Sequence, residues 1–200
     1  DSAGTLTIAF SMTIELAKLT REIGKNPFVP AQNMDLRDRC EKILSIQSAG
    51  LRKRINHVHA DSVVIGISGG LDSTLALLVC VRAMKELGRS PKDIIAVTMP
   101  SFGTTQRTKN NAIRLCEALN VTIREIDISR TVRSHFKDLG HDENIHDVLY
   151  ENAQARERTQ VLMDVCHQHN GFVIGTGDLS ELALGWATDN GDHMSMYGVN

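Results

Sequence analysis

Residues 62–74, Ser-Val-Val-Ile-Gly-Ile-Ser-Gly-Gly-Leu-Asp-Ser-Thr, form a glycine turn whose side chains are suited to phosphate chemistry. An apolar run precedes the turn and a helix-forming stretch follows it, which predicts a helix N-terminus with unpaired N–H groups that attract an anion. The lysine of the common γ-phosphate loop is missing. Asp72 stands in its place, and a carboxylate beside phosphates requires a divalent cation such as magnesium. The groups that we expect to bind a pyrophosphate are Ser68, Ser73, Thr74 and the amides of Gly69 and Gly70. Such a turn fits an enzyme that splits ATP between its α and β phosphates, and a purely structural glycine turn is the alternative.

A second polar set lies in residues 151–158, Glu-Asn-Ala-Gln-Ala-Arg-Glu-Arg, near the start of a predicted helix. Asn152 and Arg156 are four residues apart and therefore share one face, while Arg158 occupies an adjacent face. Arginines on a helix are usually solvated or paired with neighbouring acids. At the edge of a sheet that also carries a phosphate-binding turn, they would be suited to bind the phosphates of a second nucleotide.

Residues 175–181, Gly-Thr-Gly-Asp-Leu-Ser-Glu, again join a predicted strand to a helix. Asp178 or Ser180 could cap this helix, with Glu181 completing a capping box. Alternatively, Glu181 is the second acid that a magnesium ion beside Asp72 would use. The only tryptophan, Trp186, follows in a polar loop, where it could stack on a ligand ring or pack on the protein surface.

The elements that must position these residues alternate along the chain. The sequence predicts strands at 63–67, 94–99, 122–126 and 172–176, and helices at 35–57, 71–87, 106–119 and 149–169. Apolar β-branched strands separated by helices indicate an α/β fold with a doubly wound parallel sheet. Ligands bind such sheets at the carboxyl ends of the strands, where the segments after Ile67, Met99 and Thr176 lie. We expect residues 137–147 to be a flexible loop near this edge.

The beginning of the chain has a different pattern. Residues 6–16 alternate between apolar and polar side chains, which predicts a half-buried strand. Residues 24–34 contain Pro27 and Pro30 and are expected to form a linker. The predicted organisation is therefore the end of another domain at 1–23, a linker at 24–34 and the main domain at 35–200.

Composition excludes several classes of protein. The net charge of −2 argues against a general binder of nucleic acid or membrane surfaces. No apolar run approaches the roughly 20 residues that span a bilayer. The four cysteines are far apart, so we expect reduced thiols in a cytoplasmic protein, with Cys80 and Cys116 in the core. The histidine pairs His57/His59 and His167/His169 are expected to be solvated or to cap helices rather than to bind metal.

The glycine turn resembles the pyrophosphate loop of the ATP-pyrophosphatase superfamily, and the chain as a whole resembles the glutamine-dependent NAD synthetases. The resemblance covers nearly the whole chain and rests on the Asn-Pro-Phe-Val-Pro linker, the helix with Ile46-Gln47 and Gly50-Leu51, Met99-Pro100 with Phe-Gly-Thr-Thr, Asn-x-Gln-Ala-Arg-x-Arg and Gly-Thr-x-x-x-Ser-Glu. It implies the ATP-pyrophosphatase (adenine nucleotide alpha hydrolase-like) fold. It also implies that residues 1–23 carry the last strand of a truncated nitrilase-like glutaminase domain and that the main domain is incomplete at its C-terminus.

The resemblance implies a ligase of NAD biosynthesis that forms a C–N bond. Such an enzyme amidates deamido-NAD to NAD through an adenylate and releases pyrophosphate, with ATP and Mg²⁺ as cofactors and ammonia supplied from glutamine in the full-length protein. The implied partners are these small molecules and further copies of the protein around a dimeric synthetase core, without nucleic acid or membrane. Two alternatives stay open. One is another pyrophosphate-loop enzyme, such as a GMP synthetase, an asparagine synthetase or a tRNA-thiolating ligase, which would lack the helix at 152–158. The other is a non-catalytic adenine-nucleotide sensor.

The family pattern also implies roles for individual positions. The residues implied to bind ATP are Gly66, Ile67, Ser68, Gly69, Gly70, Leu71, Asp72, Ser73 and Thr176. Those implied to bind deamido-NAD are Asn152, Arg156, Arg158, Glu181, Trp186, Ala187, Thr188 and Asp189. Asp72 and Glu181 are implied to bind magnesium and to act in catalysis, and we hypothesise that Asp192 deprotonates the incoming ammonium. The lysine that small ammonia-using synthetases carry after the threonine is replaced here by Asp189.

Overall fold

The structure, a computed structural model, describes residues 8–12, 20–21, 33–102 and 106–200. It divides into two compact units, Asp1–Arg39 and Cys40–Asn200. Where the sequence predicts a strand over 6–16, residues 8–12 form no strand, and Ile8, Phe10 and Met12 are exposed. A strand needs a paired neighbour for its backbone groups, and residues 8–12 have none among the described residues. The rest of that predicted strand and most of the predicted linker at 24–34 lie outside the described residues.

The described helices and strands follow the predicted order, with one additional helix and one additional strand. In chain order they are α1 (Asn33–Val58), β1 (Ser62–Gly66), α2 (Leu71–Glu86), β2 (Ile94–Thr98), α3 (Gln106–Ala118), β3 (Thr122–Glu125), α4 (Ser129–Leu139), α5 (Val148–Gln168), β4 (Gly171–Gly175), α6 (Leu179–Leu184) and β5 (Tyr197–Gly198). A short 3₁₀ helix, Pro91–Asp93, precedes β2.

The five strands form one parallel sheet in the order β3-β2-β1-β4-β5, which confirms the predicted α/β fold class. Val63 of the central strand β1 lies opposite Ile94 of β2 and Phe172 of β4. The chain moves from β1 to β2 on one side and later returns to β4 on the other. A doubly wound sheet opens a crevice at this reversal, between the carboxyl ends of β1 and β4.

The main core buries both faces of this sheet, which is why its strands have continuous apolar runs. Helix α1 contributes Leu51 and Ile55, and α2 contributes Leu77 and Met84. Cys80 and Cys116 are fully buried, as predicted, and burial raises the pKa of the Cys80 thiol to about 12 and of the Cys116 thiol to about 11. Within the described ranges, no helix is both long and apolar enough to span a bilayer.

A second cluster lies between α4 and α5 and shows what the sequence interpretation missed. Val132 and Phe136 of α4 pack with Ile128 and with Tyr150 of α5. Their spacing of four residues is a helical pattern, so a signal for α4 was present. The predicted loop at 137–147 is therefore wrong at its first three residues, because the helix continues to Leu139 and ends at Gly140, whose φ is +68°.

Candidate active site

The glycine turn connects β1 to α2 at the carboxyl edge of the sheet. The Ile67 amide still donates to the Val97 carbonyl at 2.9 Å, which holds the start of the turn against β2. Gly69 has φ of +82°, a left-handed conformation that glycine adopts without steric cost. Gly70 is the N-cap of α2 and offers no side chain to the amides of the first turn. The unpaired amides of this first turn form the N-terminal end of α2, which is the end of a helix that attracts anions, as the sequence predicts.

The hydroxyl groups of the turn form one network. The oxygens of Ser68 and Ser73 are 3.1 Å apart, and the Ser68 hydroxyl accepts from the Gly70 amide at 3.2 Å. The Ser73 and Thr74 hydroxyls both donate to the Gly70 carbonyl, at 3.3 and 2.7 Å. The network fixes these oxygens beside the helix N-terminus, where they can contact the same anion as the amides.

A cavity of about 490 Å³, called the central cavity below, opens beside this turn. Its lining residues are Gly66, Ile67, Ser68, Gly70, Ser73, Thr98, Met99, Lys109, Arg158, Thr159, Leu162, Thr176 and Asp192. Six of the nine residues predicted to bind ATP are therefore in the lining, and Thr176 reaches it from the end of β4. Gly69, Leu71 and Asp72 are not in the lining, and the last two are exposed on the first turn of α2. Arg158 and Asp192, predicted for other roles, also line this cavity.

Two further cavities continue from the central one, of which the first shares a lining residue with it and the second shares residues with the first. The Trp186 cavity, of about 380 Å³, is lined by Glu181, Gly185, Trp186, Ala187, Thr188, Asp192 and His193. The α5 cavity, of about 570 Å³, is lined by His146, Asp147, Val148, Glu151, Asn152, Ala187, Thr188 and Asp189. Asp192 lines both the central and the Trp186 cavities, whereas Ala187 and Thr188 line both the Trp186 and the α5 cavities. All predicted deamido-NAD residues except Arg156 therefore line this row of three cavities.

Helix α5 holds the loop at 186–192 through side chains one or two turns apart. The Asn152 side-chain oxygen accepts from the Asp189 amide at 2.5 Å, and Arg156 Nη1 donates to the Asp189 carbonyl at 3.3 Å. The Thr159 hydroxyl donates to the Gly191 carbonyl at 2.8 Å. Asn152 and Arg156 thus share a face, as predicted. Both contact the loop, and the Asn152 side-chain nitrogen also donates to the Val148 carbonyl of α5 at 2.9 Å.

An ion pair lies at the central cavity, and its acidic member, Asp192, also lines the Trp186 cavity. Arg158 Nη1 lies 3.3 Å from Asp192 Oδ2. The Asp192 amide donates to the Thr188 hydroxyl at 3.0 Å, so the backbone of Asp192 is held by Thr188 and its carboxylate by Arg158. Both side chains are partly exposed to solvent, with exposed fractions of 32% for Arg158 and 53% for Asp192. The ion pair orients both groups towards the cavities and adds little stability of its own.

The predicted pair of magnesium ligands is not brought into one cavity. Asp178 caps α6, and Glu181 completes the capping box by accepting from the Asp178 amide at 3.1 Å. Glu181 lines the Trp186 cavity, whereas Asp72 lines none of the three. The described residues contain no cluster of three or more His, Cys, Asp or Glu arranged for a metal ion. A nucleotide-bound magnesium needs only one or two carboxylates beside phosphate oxygens, and the exposed carboxylate of Asp72 beside the turn fits that requirement.

Comparison with known proteins identifies the family. The sequence profile described as NAD synthase matches residues 43–196. The chain belongs to the NAD synthase family. It is 49% identical over 187 residues to the glutamine-dependent NAD(+) synthetase of Mycobacterium tuberculosis, an alignment that covers 91% of this chain and 28% of that protein. The chain thus spans little more than a quarter of the length of this curated relative.

Solved structures of NAD synthetases share the fold. The NH3-dependent NAD synthetase of Campylobacter jejuni, in complex with nitrate, superimposes with a TM-score of 0.70 at 31% identity, over 79% of this chain and 65% of that one. The glutamine-dependent NAD+ synthetase of Acinetobacter baumannii, in complex with ADP, gives a TM-score of 0.73 at 29% identity, over 80% of this chain and 30% of that one. The parallel sheet described above is therefore the ATP-pyrophosphatase fold of the NAD synthases.

Two features of the candidate site go beyond or sharpen the sequence interpretation. Lys109 lines the central cavity but was not among the predicted residues; its position, soon after the segment that follows β2 at the functional edge, was the available signal. Trp186 is 78% exposed at the mouth of its own cavity, so it does not pack into the core of the described chain. An exposed aromatic face beside a cavity is suited to stacking on a planar ligand.

Proposed function

We propose that the protein to which this chain belongs is a C–N-bond-forming ligase that converts deamido-NAD to NAD with ATP and ammonia. The observation that carries the proposal is the row of cavities, because a phosphate-binding turn in the central cavity adjoins, through Asp192, a cavity with an exposed aromatic ring. ATP and a second, ring-bearing substrate could therefore meet at a shared wall. The ADP in the Acinetobacter baumannii relative supports a nucleotide on this fold.

The proposed chemistry needs activation of a carboxylate. The nicotinate carboxylate is a poor acyl electrophile. An oxygen of this carboxylate would attack the α-phosphorus of ATP while the bond between the α and β phosphates breaks, which releases pyrophosphate and leaves an acyl adenylate. Ammonia would then attack the acyl carbon and displace AMP. No covalent enzyme intermediate is required, so the contribution of the protein is positioning and charge stabilisation. The first-turn amides of α2 and the hydroxyls of Ser68 and Ser73 would bind the departing pyrophosphate.

Asp72 would hold magnesium against the phosphates, with Glu181 as the proposed second carboxylate. Magnesium, when bound there, would neutralise charge on the polyphosphate. Glu181 already accepts the hydrogen bond of the capping box through Oε2, which fixes its carboxylate at the rim of the Trp186 cavity. Its other oxygen would remain for a ligand.

Asp192 is the proposed proton acceptor for incoming ammonium. It stands between the two cavities that would hold ATP and deamido-NAD, and Arg158 fixes its carboxylate at 3.3 Å. Arg158 would at the same time contact a phosphate of a bound nucleotide, because it also lines the central cavity. Asn152, Arg156 and Asp189 would support the deamido-NAD side by fixing the loop at 186–192.

We further propose that glutamine hydrolysis elsewhere in the protein supplies ammonia, as the name of the mycobacterial relative suggests. Residues 1–23 would be the end of that glutaminase domain, residues 24–34 a linker and residues 35–200 part of the synthetase domain. The proposed setting is the cytoplasm, and the proposed assembly has a dimeric synthetase core.

The test is a coupled assay on the intact protein that measures NAD formed from deamido-NAD, ATP and either ammonium or glutamine, together with pyrophosphate. NAD and pyrophosphate in equal amounts would support the proposal. If pyrophosphate release did not depend on deamido-NAD but increased with xanthosine monophosphate, the proposed function would be wrong and a GMP synthetase-like function would take its place. ATP binding without any pyrophosphate release would instead indicate a nucleotide sensor.

A further inference from the structure

We infer that Lys109 supplies the cation that the glycine turn itself lacks, by binding a phosphate of ATP and of the released pyrophosphate. The inference rests on the proposed function, since it adds a binding residue to the same site. In the common γ-phosphate loop a lysine lies within the loop itself. Here the loop has Asp72 in that region, so a phosphate-binding cation has to come from another element.

The position of Lys109 meets this need. It lies on α3, the helix that follows β2, and it lines the central cavity together with Ser68, Gly70 and Ser73 of the turn. Thr98, the last residue of β2, lines the same cavity. The lysine therefore reaches the cavity from the helix that follows the neighbouring strand β2, whereas the amides belong to the helix that follows the central strand β1.

The Lys109 ammonium is held in place but keeps donors for a ligand. Its Nζ lies 2.7 Å from Oε1 of Glu125, the last residue of β3, and its side chain is 25% exposed. An ammonium group has three N–H donors, of which this contact uses one. The long lysine side chain is thus already oriented at the cavity, which lowers the entropy cost of binding a phosphate.

The charges around the central cavity favour a polyphosphate. Among its lining residues the charged ones are Lys109, Arg158 and Asp192, and the last two form an ion pair with each other. Glu125, the partner of Lys109, is not part of the lining. The lining itself therefore has one positive charge in excess, next to the amides and hydroxyls of the turn. Glu125 offsets part of this charge from outside the lining, and the partly enclosed cavity strengthens the attraction that remains for an anion.

The test is a Lys109→Met substitution in the intact protein, with calorimetric binding of inorganic pyrophosphate in magnesium buffer and steady-state kinetics. We expect the Kd for pyrophosphate and the KM for ATP to rise about 10- to 100-fold, the factor expected for one hydrogen bond to a charged group. The KM for deamido-NAD should change less than about threefold. The melting temperature should hardly move, because a partly exposed ion pair adds little stability. Lys109→Arg, which keeps the charge, should restore most of the pyrophosphate affinity.

Lys92→Met is the matched control. Lys92 lies in the 3₁₀ helix before β2, at the opposite end of that strand, and its Nζ donates to the Val121 carbonyl at 3.4 Å. Equal pyrophosphate affinity in Lys109→Met and the unsubstituted protein would overturn the inference, as would an equal loss in Lys92→Met. If the unsubstituted protein made no NAD but Lys109→Met still weakened pyrophosphate binding, the proposed function would fall and the inference about Lys109 would stand.

Discussion

At the scale of single residues, the glycine turn depends on a backbone conformation that only one residue type adopts freely. Gly69 has φ of +82°, and a side chain there costs about 1–2 kcal/mol. We predict that Gly69→Ala lowers the free energy of unfolding by about this amount and raises the KM for ATP, because the turn must shift to relieve the strain. Urea unfolding and ATP kinetics measure the two effects.

The control for this substitution is Gly198→Ala. Gly198 lies in β5, and a Cβ built there meets no atom within 4 Å, so it should change the free energy of unfolding by less than about 0.5 kcal/mol. Equal stability of Gly69→Ala and the unsubstituted protein would show that the turn relaxes without cost.

Glu157 of α5 gives a prediction of pH dependence. Burial raises the pKa of its carboxyl, the charge of Asp164 acts in the same direction, and His135 and a hydrogen bond with Thr131 oppose them. Because the charged form is disfavoured in the fold, its penalty is absent below the ordinary glutamate pKa of about 4.3 and develops as the pH rises through the higher folded value. Glu157→Gln should therefore raise the melting temperature at neutral pH and leave it unchanged in acid.

Glu117→Gln, at an exposed position of α3, is the control for this substitution. If Glu157→Gln raised the melting temperature equally at every pH, the assigned cause would be wrong.

At the scale of elements, the long apolar patterns of residues 35–200 specified strands and helices, whereas the alternating pattern at 6–16 does not form a strand over residues 8–12. The strands at 63–67, 94–99, 122–126 and 172–176 were found to within two residues at either end, because buried parallel strands are continuous apolar runs. Helix α4 was missed because Arg130, Arg133 and Lys137 surround its few apolar positions. Strand β5, with two residues, is too short to show a period and exists only through its pairing with β4.

The loop at 186–192 illustrates how one element positions another. Gly191 lies against α5, where a Cβ built on it would meet the Ala155 Cβ at 2.6 Å and would also contact Thr188. We predict that Gly191→Ala forces the loop away from α5, costs about 1–3 kcal/mol of stability and raises the KM for deamido-NAD. Chemical unfolding and kinetics measure these changes.

The substitution Ala155→Gly offers a direct check, because it removes the methyl group that the new side chain meets. The double variant should recover part of the loss, with a coupling free energy of at least about 0.5 kcal/mol in a double-mutant cycle. Purely additive effects would show that the close approach to Ala155 is not the cause.

At the scale of the whole molecule, the order of elements was predictable, whereas contacts between distant segments were not. The direction of the strands determines the sheet edge at which the glycine turn and the polar loops lie. The proximity of the turn and Thr176 could therefore be expected. The pairing of Arg158 with Asp192 could not, because it depends on how α5 and a later loop meet. The same holds for Lys109, whose place in the central cavity is set by the packing of α3.

The residues after β5 tie together segments that are far apart in the sequence. Gln47 of α1 donates through Nε2 to the Val199 carbonyl at 2.7 Å. Asn200 donates through Nδ2 to the carbonyls of Asp72 at 3.0 Å and of Thr176 at 2.8 Å. Asn200 thus joins the first turn of α2 to the end of β4, the two sides of the crevice that would hold ATP.

We predict that Asn200→Leu and Gln47→Leu have similar effects on stability but different effects on nucleotide binding. Each removes a hydrogen-bonding amide of similar size, and each also removes a buried oxygen that has no partner in the structure, so both should cost only about 1 kcal/mol in urea unfolding. Only Asn200→Leu removes the hydrogen bonds that join the two sides of the crevice. It should therefore raise the KM for ATP about fivefold, the factor that corresponds to about 1 kcal/mol. Gln47→Leu is the matched control because it weakens the attachment of the same residues after β5 without changing a contact at the crevice. A rise in the KM for ATP in both variants would mean that general loosening of that segment, rather than the link through Asn200, governs the crevice.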